Sequence, residues 1–248
     1  MIDRPNSVIV VAIVTVLVSA ILAIACGPSD TARSQGGSQF VFESVGSLDG
    51  SYNAIARTVD GFLLLGSRGK VDLVDARNPA EPRVVGTYAA ITGAVPDIVV
   101  NDHEAYVAAE DGLLVLDVSN PAAPRRVARF LSEPLRGVAV QEGIAVVAGS
   151  NRVHVVDVSD PSHPRELSTI DATVVRPVLA GDIALLGGTS PVLSVIGIGD
   201  PERPIRLGSW NPAPGGWGSD VVVDTERDLA YVGRSVPWQL YIPPPGPT

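Results

Sequence analysis

Asn78-Pro79-Ala80-Glu81-Pro82 is one of four versions of a single phrase, and its recurrence decides the fold. The others are Asn120-Pro121-Ala122-Ala123-Pro124, Asp160-Pro161-Ser162-His163-Pro164 and Asp200-Pro201-Glu202-Arg203-Pro204. Their first prolines stand at 79, 121, 161 and 201, steps of 42, 40 and 40. A period of that size marks stacked supersecondary units rather than one irregular enzyme core.

Working outward from each phrase, every repeat holds four short β-type runs separated by turn residues, the pattern of a propeller blade. In the second repeat they are Ile98-Val99-Val100, Ala105-Tyr106-Val107-Ala108, Leu113 to Val118 and Arg126 to Phe130. Asn101-Asp102-His103 and Glu110-Asp111-Gly112 supply the first two turns, and the proline phrase supplies the third. There proline presets φ and removes an N–H that no strand could use. Third strands end in Asp75, Asp117 and Asp157, with Gly197 in the last repeat, and an aspartate beside a turn is expected to bond turn backbone groups.

The segments Gly112-Leu113-Leu114-Val115-Leu116-Asp117-Val118-Ser119-Asn120-Pro121 and Val153-His154-Val155-Val156-Asp157-Val158-Ser159-Asp160-Pro161 resemble LVIVD repeats, a β-propeller family of secreted and surface-anchored prokaryotic proteins. The likeness extends over nearly everything from about residue 45 onward. It implies the fold and an extracytoplasmic place, and leaves the biochemical role open, since members generally carry no assigned activity.

The fourth strands close on Val85-Gly86-Thr87-Tyr88, Val127-Ala128-Arg129-Phe130, Leu167-Ser168-Thr169-Ile170 and Leu207-Gly208-Ser209-Trp210. Val45-Gly46-Ser47-Leu48 repeats that signature with no blade of its own. At the other end Asp220 to Val223, Ala230 to Gly233 and Trp238 to Ile242 supply three strands without a fourth, before Pro243-Pro244-Pro245-Gly246-Pro247-Thr248. The expectation is an all-β, five-bladed propeller in which the N-terminal strand completes the C-terminal blade and removes two exposed edges. A longer propeller cut short is the alternative.

Residues 1–25 read as a signal peptide, 26–38 as a lipidated cysteine with a flexible tether, and 39–248 as the propeller. Val8 to Ala25 is an unbroken run of apolar and small residues after Arg4, and Leu22-Ala23-Ile24-Ala25-Cys26 resembles the bacterial lipoprotein processing box. Cys26 is therefore the expected lipid attachment site; an uncleaved transmembrane anchor is the alternative for an apolar run of this length. Either way the chain is held at a membrane, in the bacterial envelope or at the cell surface. Cys26 is the sole cysteine, so no intramolecular disulfide or cysteine metal site is available. A net charge of -9 and a pI near 4.7 argue against nucleic acid.

No nucleophile motif, phosphate loop or zinc signature is present, and no metal or cofactor is expected. His103, His154 and His163 read as turn or surface residues. The starts of the first strands surround the channel mouth of a propeller, which makes Asp97, Arg136, Arg176 and Asp220 candidate binding residues or, equally, a ring of mutual charge pairs. Trp217, on the glycine-rich loop leading there, is a candidate contact. The favoured function is a binding scaffold with a protein or carbohydrate partner. A hydrolase acting on carbohydrate or phosphoester is the alternative, although arginines beside Asp97 and Asp220 favour charged carboxylates, the wrong state for a general acid.

Overall fold

The computed structural model describes residues 31–33, 39–41, 47–188, 191–211, 218–224 and 229–234. An N-terminal hairpin pairs β1 (Thr31–Arg33) with β2 (Gln39–Val41). Four antiparallel four-stranded blades follow in strict chain order. The first comprises β3 (Ala54–Arg57), β4 (Phe62–Ser67), β5 (Lys70–Asp75) and β6 (Arg83–Tyr88). The second comprises β7 (Asp97–Asn101), β8 (Glu104–Ala109), β9 (Gly112–Asp117) and β10 (Arg125–Phe130). The third comprises β11 (Gly137–Gln141), β12 (Ile144–Ala148), β13 (Arg152–Asp157) and β14 (Arg165–Asp171). The fourth comprises β15 (Val174–Ala180), β16 (Ile183–Gly188), β17 (Leu193–Gly197) and β18 (Ile205–Trp210). A final hairpin joins β19 (Gly218–Asp224) to β20 (Leu229–Arg234).

The third strands of blades 2, 3 and 4 are largely apolar on both faces because each of these blades has a neighbouring sheet on either side. In β9, Leu114 and Leu116 lie in a core with Leu64, Val71 and Leu73 of blade 1, while Leu113 and Val115 lie in another with Val138, Val147 and Val156 of blade 3. Successive residues of a strand point to opposite faces, so one run serves two cores. Val146, Ala148 and Val153 then share a core with Leu186 and Ile196, and Leu185 and Leu193 share one with Val221 and Val232. The hydrophobic cores thus lie between sheets, and the innermost strands β3, β7, β11, β15 and β19 stand side by side in that order. This is a propeller-like stack.

Each fourth strand carries one residue too many. Val85, Val127, Leu167 and Leu207 have no partner on the third strand, where the register shifts by one in all four blades. Such bulges strengthen local twist. The small residue that follows makes room for the next blade: a Cβ on Gly86 would run into the Pro121 carbonyl, and Ser168 donates its hydroxyl to the Pro201 carbonyl at 2.6 Å. Each proline phrase is a tight turn in which the fourth residue's N–H bonds the first carbonyl, at 3.1, 3.0, 3.0 and 3.0 Å for Glu81, Ala123, His163 and Arg203.

Of the expected strand Val45 to Leu48, Val45 and Gly46 lie outside the described residues, and Ser47 and Leu48 belong to no strand. Leu48 packs against Tyr52, Leu65 and Val74 on the face of blade 1 turned away from blade 2. The expected third strand of the last blade, Trp238 to Ile242, the proline-rich C-terminus, Cys26 and the apolar run before it also lie outside the described residues. Among the described residues no helix is long and apolar enough to cross a membrane.

Candidate functional site

The first strands bring the axis residues together through their pairing with the second strands. Asp97 stands opposite Ala108, Gly137 opposite Ala148, Arg176 opposite Gly187 and Asp220 opposite Gly233, which makes these four positions equivalent. Arg136 is therefore displaced by one place from the axis position of blade 3, which Gly137 holds; it is exposed, and its backbone N–H bonds Ala148. A slip of one residue turns a side chain to the other face. In blade 4 a bulge at Val175 corrects the slip and delivers Arg176 to the axis.

Gly137 makes that delivery possible. A Cβ at Gly137 would lie 2.8 Å from the Val175 carbonyl, 2.9 Å from Pro177 Cδ and 3.1 Å from Arg176 Cα. The bulge of blade 4 leans into the space that a side chain on blade 3 would fill. Arg176 then spans blade 3 and reaches Asp97 on blade 2, Nη2 to Oδ1 at 2.5 Å and Nε to Oδ2 at 3.4 Å. The Val138 N–H of blade 3 donates to Oδ2 at 3.1 Å. Asp97 is almost wholly buried, its side chain 3% exposed against 41% for Arg176. One carboxylate thus ties three consecutive blades at the axis. The side chain of Asp220 and all of Trp217 lie outside the description.

The outer corners carry a second repeated set of charges. Asp75, Asp117 and Asp157 each accept a hydrogen bond from the backbone N–H two residues on, and each pairs with the arginine eight residues on, Arg83, Arg125 and Arg165. Hydrogen bonds from the Ser119 hydroxyl and N–H, reinforced by Arg125, hold the Asp117 carboxyl down to about 2. Ser159 lowers Asp157 in the same way, and the Arg77 guanidinium does so for Asp75. The aspartates were legible as turn partners; the arginines were not singled out, although the spacing from aspartate to arginine is constant. A cleft of about 630 Å³ sits at the first of these corners, between Asp75, Arg77, Asn78, Glu81, Pro82 and Arg83.

His154 corrects the expectation of a surface residue. It is 3% exposed, because the third-strand position opposite Thr169 points inward, as the equivalent Asp72, Leu114 and Ser194, opposite Thr87, Arg129 and Ser209, also do. Its Nδ1 lies 2.6 Å from Oε2 of Glu166, and its Nε2 lies 2.8 Å from Oε1 of Glu133 but out of hydrogen-bonding alignment. In blade 1 the equivalent Asp72 accepts from Tyr52, Lys70 and Thr87 at 3.1, 2.6 and 2.7 Å. Burial and then the Asp72 charge push the Tyr52 phenol up, while its hydrogen bond to Asp72 raises Lys70. These are local solutions to a buried polar position, since polar groups removed from water need partners. His103 and His163 are exposed, the latter 2.9 Å from Asp160. Among the described residues no group of His, Cys, Asp and Glu converges as a metal site.

Comparison with solved structures finds the computationally designed Ika8 protein, at a TM-score of 0.61 and 13% identity over 84% of this chain. This chain spans 66% of the Ika8 length. The computationally designed Ika4 protein matches at a TM-score of 0.53 and 15% identity, covering 63% of this chain and 99% of its own. Both likenesses concern the fold alone. No curated protein matches. The LVIVD repeat model matches residues 92–131 and 135–172, which span blades 2 and 3. Blades 2 and 3 thus match the LVIVD repeat, and they are set in an all-β stack of repeated sheets among the described residues.

Proposed function

We propose that this chain is a membrane-anchored, extracytoplasmic five-bladed propeller that serves as a binding scaffold. The observation that carries the scaffold over an enzyme is the state of Asp97: one oxygen is taken by Arg176 and the other by Val138 N–H, so the buried axis carboxylate is occupied in holding blades. A general acid or base needs a free proton site facing substrate. Anchoring rests on Cys26 after its apolar run. The fifth blade rests on β19 and β20, on Trp238 to Ile242 as third strand and on Val45 to Leu48 as fourth. Leu48 supports that assignment, because it packs on Leu65 and Val74 of blade 1 as Tyr88, its counterpart in blade 1, packs on the core shared with blade 2.

Arg176→Ala should lower the melting temperature, by the equivalent of about 3 kcal/mol for loss of one partner of a mostly buried pair. Wild-type turnover of chromogenic glycosides or phosphoesters, abolished in Asp97→Asn, would instead establish the hydrolase. Fatty-acid labelling lost in Cys26→Ala checks the anchor.

A further inference from the structure

His154 meets a carboxylate at each ring nitrogen. Nδ1 is aligned on Oε2 of Glu166, in β14 of the same blade, at 2.6 Å. Nε2 lies 2.8 Å from Oε1 of Glu133, in the connection from blade 2 to blade 3, and is buried without a hydrogen bond among the described residues. A carboxylate can only accept, and a neutral imidazole has a single N–H to give. Alignment assigns that proton to Nδ1, so in a neutral ring the bare Nε2 would face a carboxylate oxygen, lone pair against lone pair, where solvent does not reach it. A second ring proton turns the same contact into a charge-assisted one.

Glu133 is also what fastens its own segment. The connection is pinned at its far end, where the buried Leu135 gives its N–H to Ala109 at 3.0 Å and Arg136 gives its own to Ala148 at 2.8 Å. At its near end Leu131 is held at φ of 56°, a strained conformation for a bulky side chain. Between the two, Ser132, Glu133 and Pro134 make no backbone hydrogen bond among the described residues, and the Glu133 side chain reaches over bare backbone, its Oε2 3.0 Å from where a Cβ on Gly149 would stand. We propose that Glu133, His154 and Glu166 form a proton-operated clasp: the doubly protonated ring holds this arch against blade 3, and loss of the Nε2 proton frees the arch while the bond to Glu166 stays. The other charged or titratable groups on the surrounding elements are Glu104, Tyr106, Asp117 and Arg125 from blade 2, Arg136 from the connection, and Arg152 and Asp171 from blade 3; none of them pairs with His154. Burial pushes the Tyr106 phenol up to about 12, and the Ser119 hydroxyl holds the Asp117 carboxyl at about 2. Imidazole is thus the group that responds between about pH 5 and 8. The clasp is closed on the acid side of that response and open on the alkaline side.

The test uses the full chain with His103→Gln and His163→Gln, which leaves His154 as the sole imidazole, labelled with nitrogen-15 and titrated from about pH 5 to about pH 9. Two-bond correlation spectra report which ring nitrogen holds a proton, and relaxation reports the order of the Ser132 and Glu133 amides. On the acid side both nitrogens should be protonated and both amides ordered, with order parameters of about 0.85; as pH rises Nε2 alone should lose its proton and both amides should fall below about 0.6, with one midpoint. Glu133→Gln separates a clasp from a merely structural contact, because a glutamine amide can accept from a protonated Nε2 and donate to a bare one. In that variant the arch should stay ordered across the whole range while the ring still titrates. A ring that keeps one protonation state throughout, loss of the proton from Nδ1 instead, amides indifferent to the ring's transition, or an arch that still opens in Glu133→Gln would each overturn the proposal.

Discussion

At the scale of single residues, the chain repeats a solution more faithfully than it repeats an amino acid. Asp117 and Asp157 each collect the hydroxyl and N–H of the serine two places on, and Asp75 collects the N–H and guanidinium of Arg77 instead. Because these carboxylates are lowered in the folded state, their contribution is complete above about pH 4, the unfolded range for aspartate, and is lost as pH falls toward the folded value of about 2 for Asp117. Wild-type melting temperature should therefore be level down to about pH 4 and drop between 4 and 2. Asp117→Asn should begin lower at neutral pH and lose less on acidification, as differential scanning fluorimetry would show. The aspartates were readable because turn chemistry is local. Burial of His154 was not, since it lies on the face of blade 3 that packs on blade 2, where its cross-strand partner Val147 shares a core with Leu113 and Val115, residues far earlier in the chain.

Elements were legible wherever a period governs them. The four runs per repeat, the turns between them and the proline phrase all fall where hydrophobic runs and turn residues put them, and strands such as Phe62–Ser67 extend the expected core by only a residue or two. Bulges were not legible, because an extra residue in a strand leaves no mark of its own in composition. That is why Arg136 and Arg176 looked equivalent although only Arg176 reaches the axis. The bulge at Val175 depends on the bare backbone of Gly137, and the two positions should therefore be coupled. Gly137→Val should cost about 3 kcal/mol or more, through overpacking and loss of the Arg176 contact. In an Arg176→Ala background the same substitution should cost clearly less. Equal costs in both backgrounds, measured by urea denaturation, would separate Gly137 from the ion pair.

For the whole molecule, a sheet with neighbours on both faces has no core of its own, and its stability is a sum over shared interfaces. If the ring closes through Val45 to Leu48, native-state hydrogen exchange should protect amides of β4 and β5 to the same degree as those of β12 and β13. Deleting Gln39 to Leu48 should release protection in blade 1 first while leaving β12 and β13 slow. Graded protection in the intact chain, falling toward blade 1, would mark an open ring.

The two additional residues in the first step of 42 have a definite location. From Tyr88 to Asp97 the chain takes nine steps, and from Phe130 to Gly137 it takes seven, so the whole surplus falls in the connection between blades 1 and 2. That connection is nevertheless tied down, through Thr92 N–H to Asp111, Gly69 N–H to Gly93 and Glu110 N–H to Ala94. Length can thus vary where one sheet hands over to the next, while a single residue gained or lost inside a sheet would exchange its two buried faces. Gly93, in a left-handed conformation at φ of 81° and with no room for a Cβ beside Glu110, is fixed, and the exposed Ala89 at the start of the connection is accordingly the natural point for grafting a reporter peptide into the scaffold without disturbing either adjoining core.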